Sequence, residues 1–269
     1  MRRAWYALMV ALYVFVCGPA KASDTAIVSI TFDDSLRSQL DILPVMQRLN
    51  MVGTLFIIAA SDTPDVPGRT DVLTKWTRLA WSQIKDFTNA GWELGSHTVT
   101  HVDLTTVDLA RQERELQEAQ ARIFFETGKF STAFASPNGA FNEQTLGVIR
   151  RFYNSQFGIW WPGLEVTGFN DPATIDPYRV TRLGVTRDEP SADRVCQYVT
   201  EAVQRGLWYV LAFHNILPEV GPGPDDEDAV TVAKFTTIVT CVAHARDAGK
   251  LRVMTVSDAL ARIKAARPR

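Results

Sequence analysis

Asp33 and Asp34 close one apolar run of this chain, His97 and His101 stand four residues apart after a second, and His214 ends a third. Three of the four histidines therefore sit at the ends of apolar segments, where buried strands give way to loops. Two acids and three imidazoles are enough for one metal ion, a general base and a general acid. The i, i+4 spacing of His97 and His101 predicts two imidazoles on one face of a helical turn. Two histidines with one carboxylate form a common open ligand set for catalytic zinc. Adjacent carboxylates repel, and a dication relieves that repulsion by taking one of them as a ligand. Singly, each feature also has a plainer reading: the acid pair as loop or cap residues, His97 and His101 as surface or core decoration, and His214 as a core histidine bonded to backbone. His244 falls in a polar helical stretch without a partner by motif and reads as a surface residue.

These residues need a scaffold that gathers strand ends. From residue 26 short apolar runs alternate with helical stretches, a pattern of βα units around a parallel sheet. Strands are predicted at Ala26–Phe32, Gly53–Ile58, Trp92–Gly95, Ser131–Ala135, Phe152–Phe157, Arg179–Leu183, Leu207–Phe213 and Leu251–Thr255. The first is apolar at nearly every position, as a strand covered on both faces should be. Helices are predicted at Ser38–Leu49, from Ser82, at Glu143–Arg151, Ala192–Arg205, Val230–Asp247 and Ser257–Ala265. Thr105 and Asp108 read as a capping box for a further helix reaching Glu126, with Leu109, Leu116, Ile123 and Phe124 on its apolar face. Three long excursions, 61–80, 158–178 and 216–228, each follow a predicted strand and in a barrel rise on the face where active sites form. The last is rich in acids (Glu219, Asp225, Asp226, Glu227, Asp228), and reads as a solvated loop or as a rim favouring amine-bearing sugars.

Residues 1–22 read as a signal peptide: Arg2 and Arg3, an apolar stretch from Trp5 to Cys17, and the small-x-small site Ala20-Lys21-Ala22. The stretch is shorter than the roughly 20 residues of a membrane span. Secretion or a periplasmic location follows, with residues 23–269 as one catalytic domain. Cleavage after Ala22 leaves 247 of the 269 residues and takes the net charge from −2 to −5, since Arg2, Arg3 and Lys21 are lost. A mildly acidic chain without a basic run argues against nucleic acid and anionic membrane surfaces as partners, and against stable membrane insertion. Cys196 and Cys241 remain, to pair in an oxidising compartment or to lie buried as free thiols.

Read in order, Thr31-Phe32-Asp33-Asp34, Ser96-His97-Thr98-Val99-Thr100-His101, Phe134-Ala135-Ser136-Pro137-Asn138-Gly139 and Leu211-Ala212-Phe213-His214 resemble motifs of the polysaccharide deacetylases of carbohydrate esterase family 4, the NodB-homology domain. Leu43-Pro44, Gly53-Thr54-Leu55-Phe56-Ile57 and Gly91-Trp92-Glu93-Leu94-Gly95 agree, so the resemblance spans residues 26–260. It implies an irregular (β/α)7 barrel. It also implies that Asp34, His97 and His101 hold the metal, most simply Zn2+, that Asp33 is the base and His214 the acid, and that the Asn138 backbone N–H binds the oxyanion. Zinc lowers the pKa of water to about 7, and imidazole suits proton delivery to a departing amine near neutral pH. The implied partner is an acetylated polysaccharide or oligosaccharide, N-acetylglucosamine-based. The alternatives are an O-acetyl polysaccharide esterase using the same residues and a non-catalytic sugar-binding barrel.

The sequence departs from the family at four positions. Ala135 stands where the family often has an Arg that orients the catalytic acid; Arg182 or Arg179 is expected to supply that cation. Asn138 replaces a frequent aromatic, Ser35 a common glycine, and Ala212 a common leucine, which would trim the acetyl pocket. Trp160, Trp161 and Trp76, in or beside the excursions, are candidates for stacking on a sugar ring.

Overall fold

Ala26–Phe32 forms strand β1 with all seven residues buried, and the two faces of that strand go to different places. Ala26, Val28, Ile30 and Phe32 pack outward into the main core under the helices, whereas Ile27 packs with Phe56, Phe157, Val180, Trp208 and Val210 in a second cluster inside a barrel. The period of two decides this: residues 27, 29, 31 and 33 share the inner face. The protein, a computed structural model, is described over residues 25–60, 78–160, 168–223 and 226–267, with the side chain of Trp160 excepted. The expected signal peptide, Trp76 and Trp161 lie outside the described residues.

The further strands are β2 (Thr54–Ile57), β3 (Glu93–Ser96), β4 (Ala133–Ala135), β5 (Ser155–Trp160), β6 (Val180–Gly184) and β7 (Trp208–Phe213). They pair in parallel in the order β1-β2-β3-β4-β5-β6-β7, and β7 returns to β1, closing a seven-stranded barrel. The barrel is irregular beside β1. There β2 meets only Thr31 and Phe32, while a last strand, β8 (Leu251–Val253), pairs with Ala26, Ile27 and Val28. Phe169–Asn170 adds a short antiparallel pair to β7.

Helices α1 (Leu43–Arg48), α2 (Trp81–Asn89), α3 (Leu109–Thr127), α4 (Glu143–Ile149), α5 (Ala192–Arg205) and α6 (Val232–Asp247) follow the strands. Helix α7 (Val256–Ala266) instead closes the N-terminal end of the barrel, with Val256, Ala259 and Ile263 packed into the inner cluster. The Glu93 carboxylate at the start of β3 accepts from the Ser257 N–H and side-chain hydroxyl, fixing the first turn of α7.

Several elements differ from the sequence reading for local reasons. The expected helix Ser38–Leu49 divides into a 3-10 stretch, Arg37–Ile42, and α1, because Pro44 begins a new helix near its N-terminus. Asp108 is itself the cap of α3, its carboxylate accepting from the Arg111 N–H, while Thr105 belongs to a separate turn capped by Asp103. On α3, Leu116 and Ile123 are buried, but Leu109 and Phe124 are half-exposed; the buried stripe instead includes Gln112 and Glu115. β5 starts at Ser155 rather than Phe152, since the Phe152 and Tyr153 N–H groups still bond back to the Ile149 carbonyl. Among the described residues no helix is long and apolar enough to cross a membrane.

Cys196 on α5 and Cys241 on α6 form a disulfide, with Cα atoms 6.0 Å apart across 45 residues. The pairing follows from the packing of these two neighbouring helices, which the sequence alone left open. The chain-entropy account of a loop this long gives about 4 kcal/mol of stabilisation. Reduction, or the Cys196→Ala/Cys241→Ala variant, should lower the urea midpoint by a corresponding amount without changing the far-ultraviolet spectrum; an unchanged midpoint would show the link to be energetically idle.

Candidate active site

The register of β1 against β7 aligns Phe32 with Phe213, so the next residues, Asp33 and His214, leave the sheet side by side. The Asp33 N–H bonds to the Phe213 carbonyl at 2.9 Å, and His214 Nε2 lies 4.0 Å from Asp33 Oδ2. Gln39 tightens the pair from beneath: its Nε2 donates to the Asp33 carbonyl at 2.7 Å and the His214 carbonyl at 3.1 Å.

Asp34 would point away from Asp33 if the strand continued. Instead its φ is +71° and that of Ser35 is +49°, and the reversal turns the second carboxylate toward the mouth. Two successive left-handed non-glycine residues are costly, and the surroundings fix them. The Ser35 carbonyl accepts from the Leu79 N–H, and the buried Arg78 guanidinium donates to the Asp34 carbonyl. Ser35 thus adopts the conformation that a glycine would take without strain, and its hydroxyl accepts from the Ile58 N–H.

His97 follows β3 directly. Its Nδ1 lies 2.8 Å from the Ala135 carbonyl at the end of β4. A carbonyl only accepts, so Nδ1 carries the proton and Nε2 turns a lone pair into the site. His101 does not share a helical turn with His97, as its spacing predicts. The stretch is an irregular loop with left-handed Thr98 (φ +66°) and His101 (φ +62°), which sets the two rings 4.8 Å apart at 67°.

Asp34 Oδ1 lies 3.6 Å from His97 Nε2 and 3.3 Å from His101 Nε2, and the three ligand atoms fall within 4.8 Å of one another. Among the described residues, none donates a hydrogen bond to the buried Asp34 Oδ1. Burial pushes the His101 imidazole down to about 4 against the pull of Asp34, and pushes His97 down as well. The His97 lone pair, the His101 Nε2 atom and the Asp34 carboxylate therefore converge on one point. Such a donor set fits a divalent cation.

Arg182 corrects the sequence expectation. It shares the inner face of β6 with Val180, is fully buried, and donates from Nη1 and Nη2 to the two oxygens of Asp33 at 2.7 and 2.8 Å. It thus orients the expected base, not His214. Nη1 also donates to the Thr31 hydroxyl, and the guanidinium lies 5.0 Å from the centre of the Phe56 ring. Phe56 fits inside the barrel only because Gly95 has no side chain; a Cβ there would come within 2.3 Å of the ring. Arg179 is exposed and pairs with Glu143, away from the site. Burial alone would raise the Asp33 carboxyl, but Arg182, with His97 and His214, holds it well below the usual carboxylate range. Asp34 is likewise lowered, against its burial, chiefly by His101.

Asn138 is exposed and left-handed (φ +55°) on the turn after β4, while the neighbouring Gly139 and Ala140 N–H groups are committed to the Ser136 and Pro137 carbonyls. Ala212 is buried on the inner face of β7, level with Thr31 and two residues below His214. In the acidic loop, Asp226 accepts from the Gly221 N–H and Arg187 grips the Gly221 and Gly223 carbonyls; Asp225 is outside the described residues.

A family profile described as polysaccharide deacetylase matches residues 20–154, half of the chain. The chain belongs to the polysaccharide deacetylase family. Among curated relatives it is 28% identical over 156 residues to YxkH of Bacillus subtilis, covering 58% of this chain and 47% of that one. It is 27% identical over 131 residues to the peptidoglycan-N-acetylglucosamine deacetylase PgdA of Listeria monocytogenes, covering 48% of this chain and 25% of that one. The chain thus spans less than half the length of these relatives. The fold is shared more widely. The Xyl-CE4 domain of a multidomain xylanase from the hindgut metagenome of Trinervitermes trinervoides superposes with a TM-score of 0.56 at 16% identity, over 87% of this chain and 89% of that one.

Sequence reasoning missed Gln39, Arg78 and Glu115. A polar or charged residue on the otherwise buried stripe of a helix was the available signal for Glu115. Two predictions test the electrostatics. Arg182→Met leaves the Asp33 carboxylate buried and unpaired, so it should destabilise by about 3–5 kcal/mol, and adding Asp33→Asn should recover a large part; additive losses in urea unfolding would deny the coupling. In chelated protein, His97 and His101 stay neutral in the fold while the unfolded chain protonates below about 6.5. Stability should therefore be complete above that pH and fall as pH drops below it, by up to about 1.4 kcal/mol per pH unit from His101 down to about 4, with His97 adding a loss of the same sign. His97→Gln/His101→Gln should flatten that slope.

Proposed function

We propose that this protein is a secreted or periplasmic, divalent-metal-dependent hydrolase that removes N-acetyl groups from an N-acetylglucosamine-type polysaccharide. The observation that carries this reading is the donorless Asp34 Oδ1 facing two imidazole Nε2 atoms, with the Asp33–His214 pair beside it. Membership of the deacetylase family and the likeness to PgdA, named for peptidoglycan N-acetylglucosamine, favour an N-acetylated glycan. The N-terminal pattern and the disulfide favour an oxidising compartment.

Asp34, His97 and His101 would hold the ion, zinc by its fit to nitrogen and carboxylate ligands. When bound, the ion supplies Lewis acidity that makes water nucleophilic at neutral pH. Asp33 takes the proton of the attacking water. Arg182 keeps that carboxylate ionised across the working pH range and fixes both of its oxygens, so the acceptor needs no reorganisation. The Asn138 N–H donates to the oxygen of the tetrahedral centre. His214, at the more open side of the mouth, delivers a proton to the departing nitrogen, which as an amide nitrogen is a poor leaving group without one.

Purified protein incubated with acetylated glycans, with and without a chelator, should release acetate and free amine in equal amounts only when metal is present. Acetate without amine would point to O-acetyl esterase activity from the same residues, and no acetate from any glycan to a sugar-binding barrel. Asp33→Asn should lower turnover by about 10²–10⁴-fold, the usual worth of a positioned base, with the metal retained. His97→Ala should lose metal and activity together; full metal content in that variant would remove His97 from the ligand set.

A further inference from the structure

We propose that Glu115, on α3 and outside every motif of the site, is the positioning residue of the metal centre: it presets the loop between the two histidines so that His101 meets Asp34 before an ion arrives. The inference rests on the metal reading above. The spacer Thr98-Val99-Thr100 has a left-handed, β-branched residue at its start and runs into left-handed His101, a conformation a free loop would leave. Its Val99 and Thr100 N–H groups turn inward toward α3. Both donate to Glu115 Oε2, at 2.8 and 2.9 Å, and the Thr100 hydroxyl donates to Oε1 at 2.8 Å.

Glu115 is only 2% exposed, so one buried carboxylate collects three charge-assisted bonds from three consecutive spacer groups. Arg111, one turn earlier, pairs with Glu115 and also donates to the Thr100 hydroxyl, holding the carboxylate in place. The rest of the spacer is committed elsewhere. The Thr98 and Val99 carbonyls accept from the Ala59 and Ala60 N–H groups, and the Thr98 hydroxyl accepts from the His101 N–H. The Glu115 bonds, with the weaker one from Arg111, tie the ligand loop to the helical layer, and among them only those of Glu115 reach its backbone N–H groups. Without them the two inward N–H groups lack an acceptor and the loop relaxes, carrying His101 Nε2 away from Asp34.

The test is metal affinity in the full chain, measured by zinc competition with a chromophoric chelator and by the visible absorption of Co2+ in its place. Glu115→Gln keeps one acceptor oxygen and should weaken zinc binding at least tenfold, within the 10–100-fold range of outer-shell changes, with an altered Co2+ spectrum. Glu115→Ala should be weaker still. Thr100→Val, which loses the hydroxyl bond but spares both backbone bonds, should weaken binding less than Glu115→Ala. Thermal melting identifies variants that fold. A folded Glu115→Gln with wild-type affinity and Co2+ spectrum would overturn the inference and leave the metal site standing. A wild-type protein that takes up neither ion would overturn the metal reading and this inference together.

Discussion

Two carboxylates and three imidazoles crowd one end of a barrel from which water is largely excluded, and such a cluster persists only if each charge meets an opposite one. Asp33 meets Arg182 through two parallel bonds. Asp34 Oδ1 has no donor among the described residues and faces the Nε2 atoms of His97 and His101. This division is the physical root of the site. One carboxylate is neutralised by the protein, and the other keeps an oxygen facing two imidazoles; in the proposed function the first accepts a proton and the second holds a cation. Breaking either arrangement leaves a buried charge uncompensated, which costs far more than a surface pair would contribute.

The barrel supplies convergence but not the final aim. Parallel strands end at one mouth, and the register between β1 and β7 brings Asp33 beside His214. Regular strand geometry would then send Asp34 to the wrong face and give His97 and His101 no common target. Left-handed residues at 34, 35, 98 and 101 do the aiming. Their strain is held by polar anchors from outside the site: Arg78 on Asp34, Leu79 on Ser35, and Glu115 on the histidine loop. Strain at ligand loops with the surroundings enforcing it is a form of preorganisation.

The inner arginine serves a different group from the one expected of it, the Asp33 carboxylate and not His214. With Ala135 small and buried on β4, the cation that contacts Asp33 rises instead from β6, stacked over Phe56. That route needs an empty place beside the ring, which Gly95 provides. Three residues on three strands therefore act together to orient one carboxylate.

Much of this was legible in the chain. Strand runs such as Ala26–Phe32 were readable because burial on both faces demands unbroken apolar sequence, and the candidate ligands because their types and spacing match the needs of a dication. Arg182 was readable as a candidate but not in its role, since alternation along β6 says that it points inward and not which carboxylate it will find. The helical turn expected from His97 and His101 failed because spacing records separation along the chain, while the backbone between them is set by Glu115 on another element. The cysteine pair was undecided for the same reason. Sequence by itself determined which groups were present and which strand ends they occupied, through local periodicity and residue chemistry. Only the tertiary structure decided their partners, because hydrogen bonds and charge pairs between residues far apart in the chain, such as Thr31 and Leu211 at 180 positions, form through barrel closure and carry no local signature.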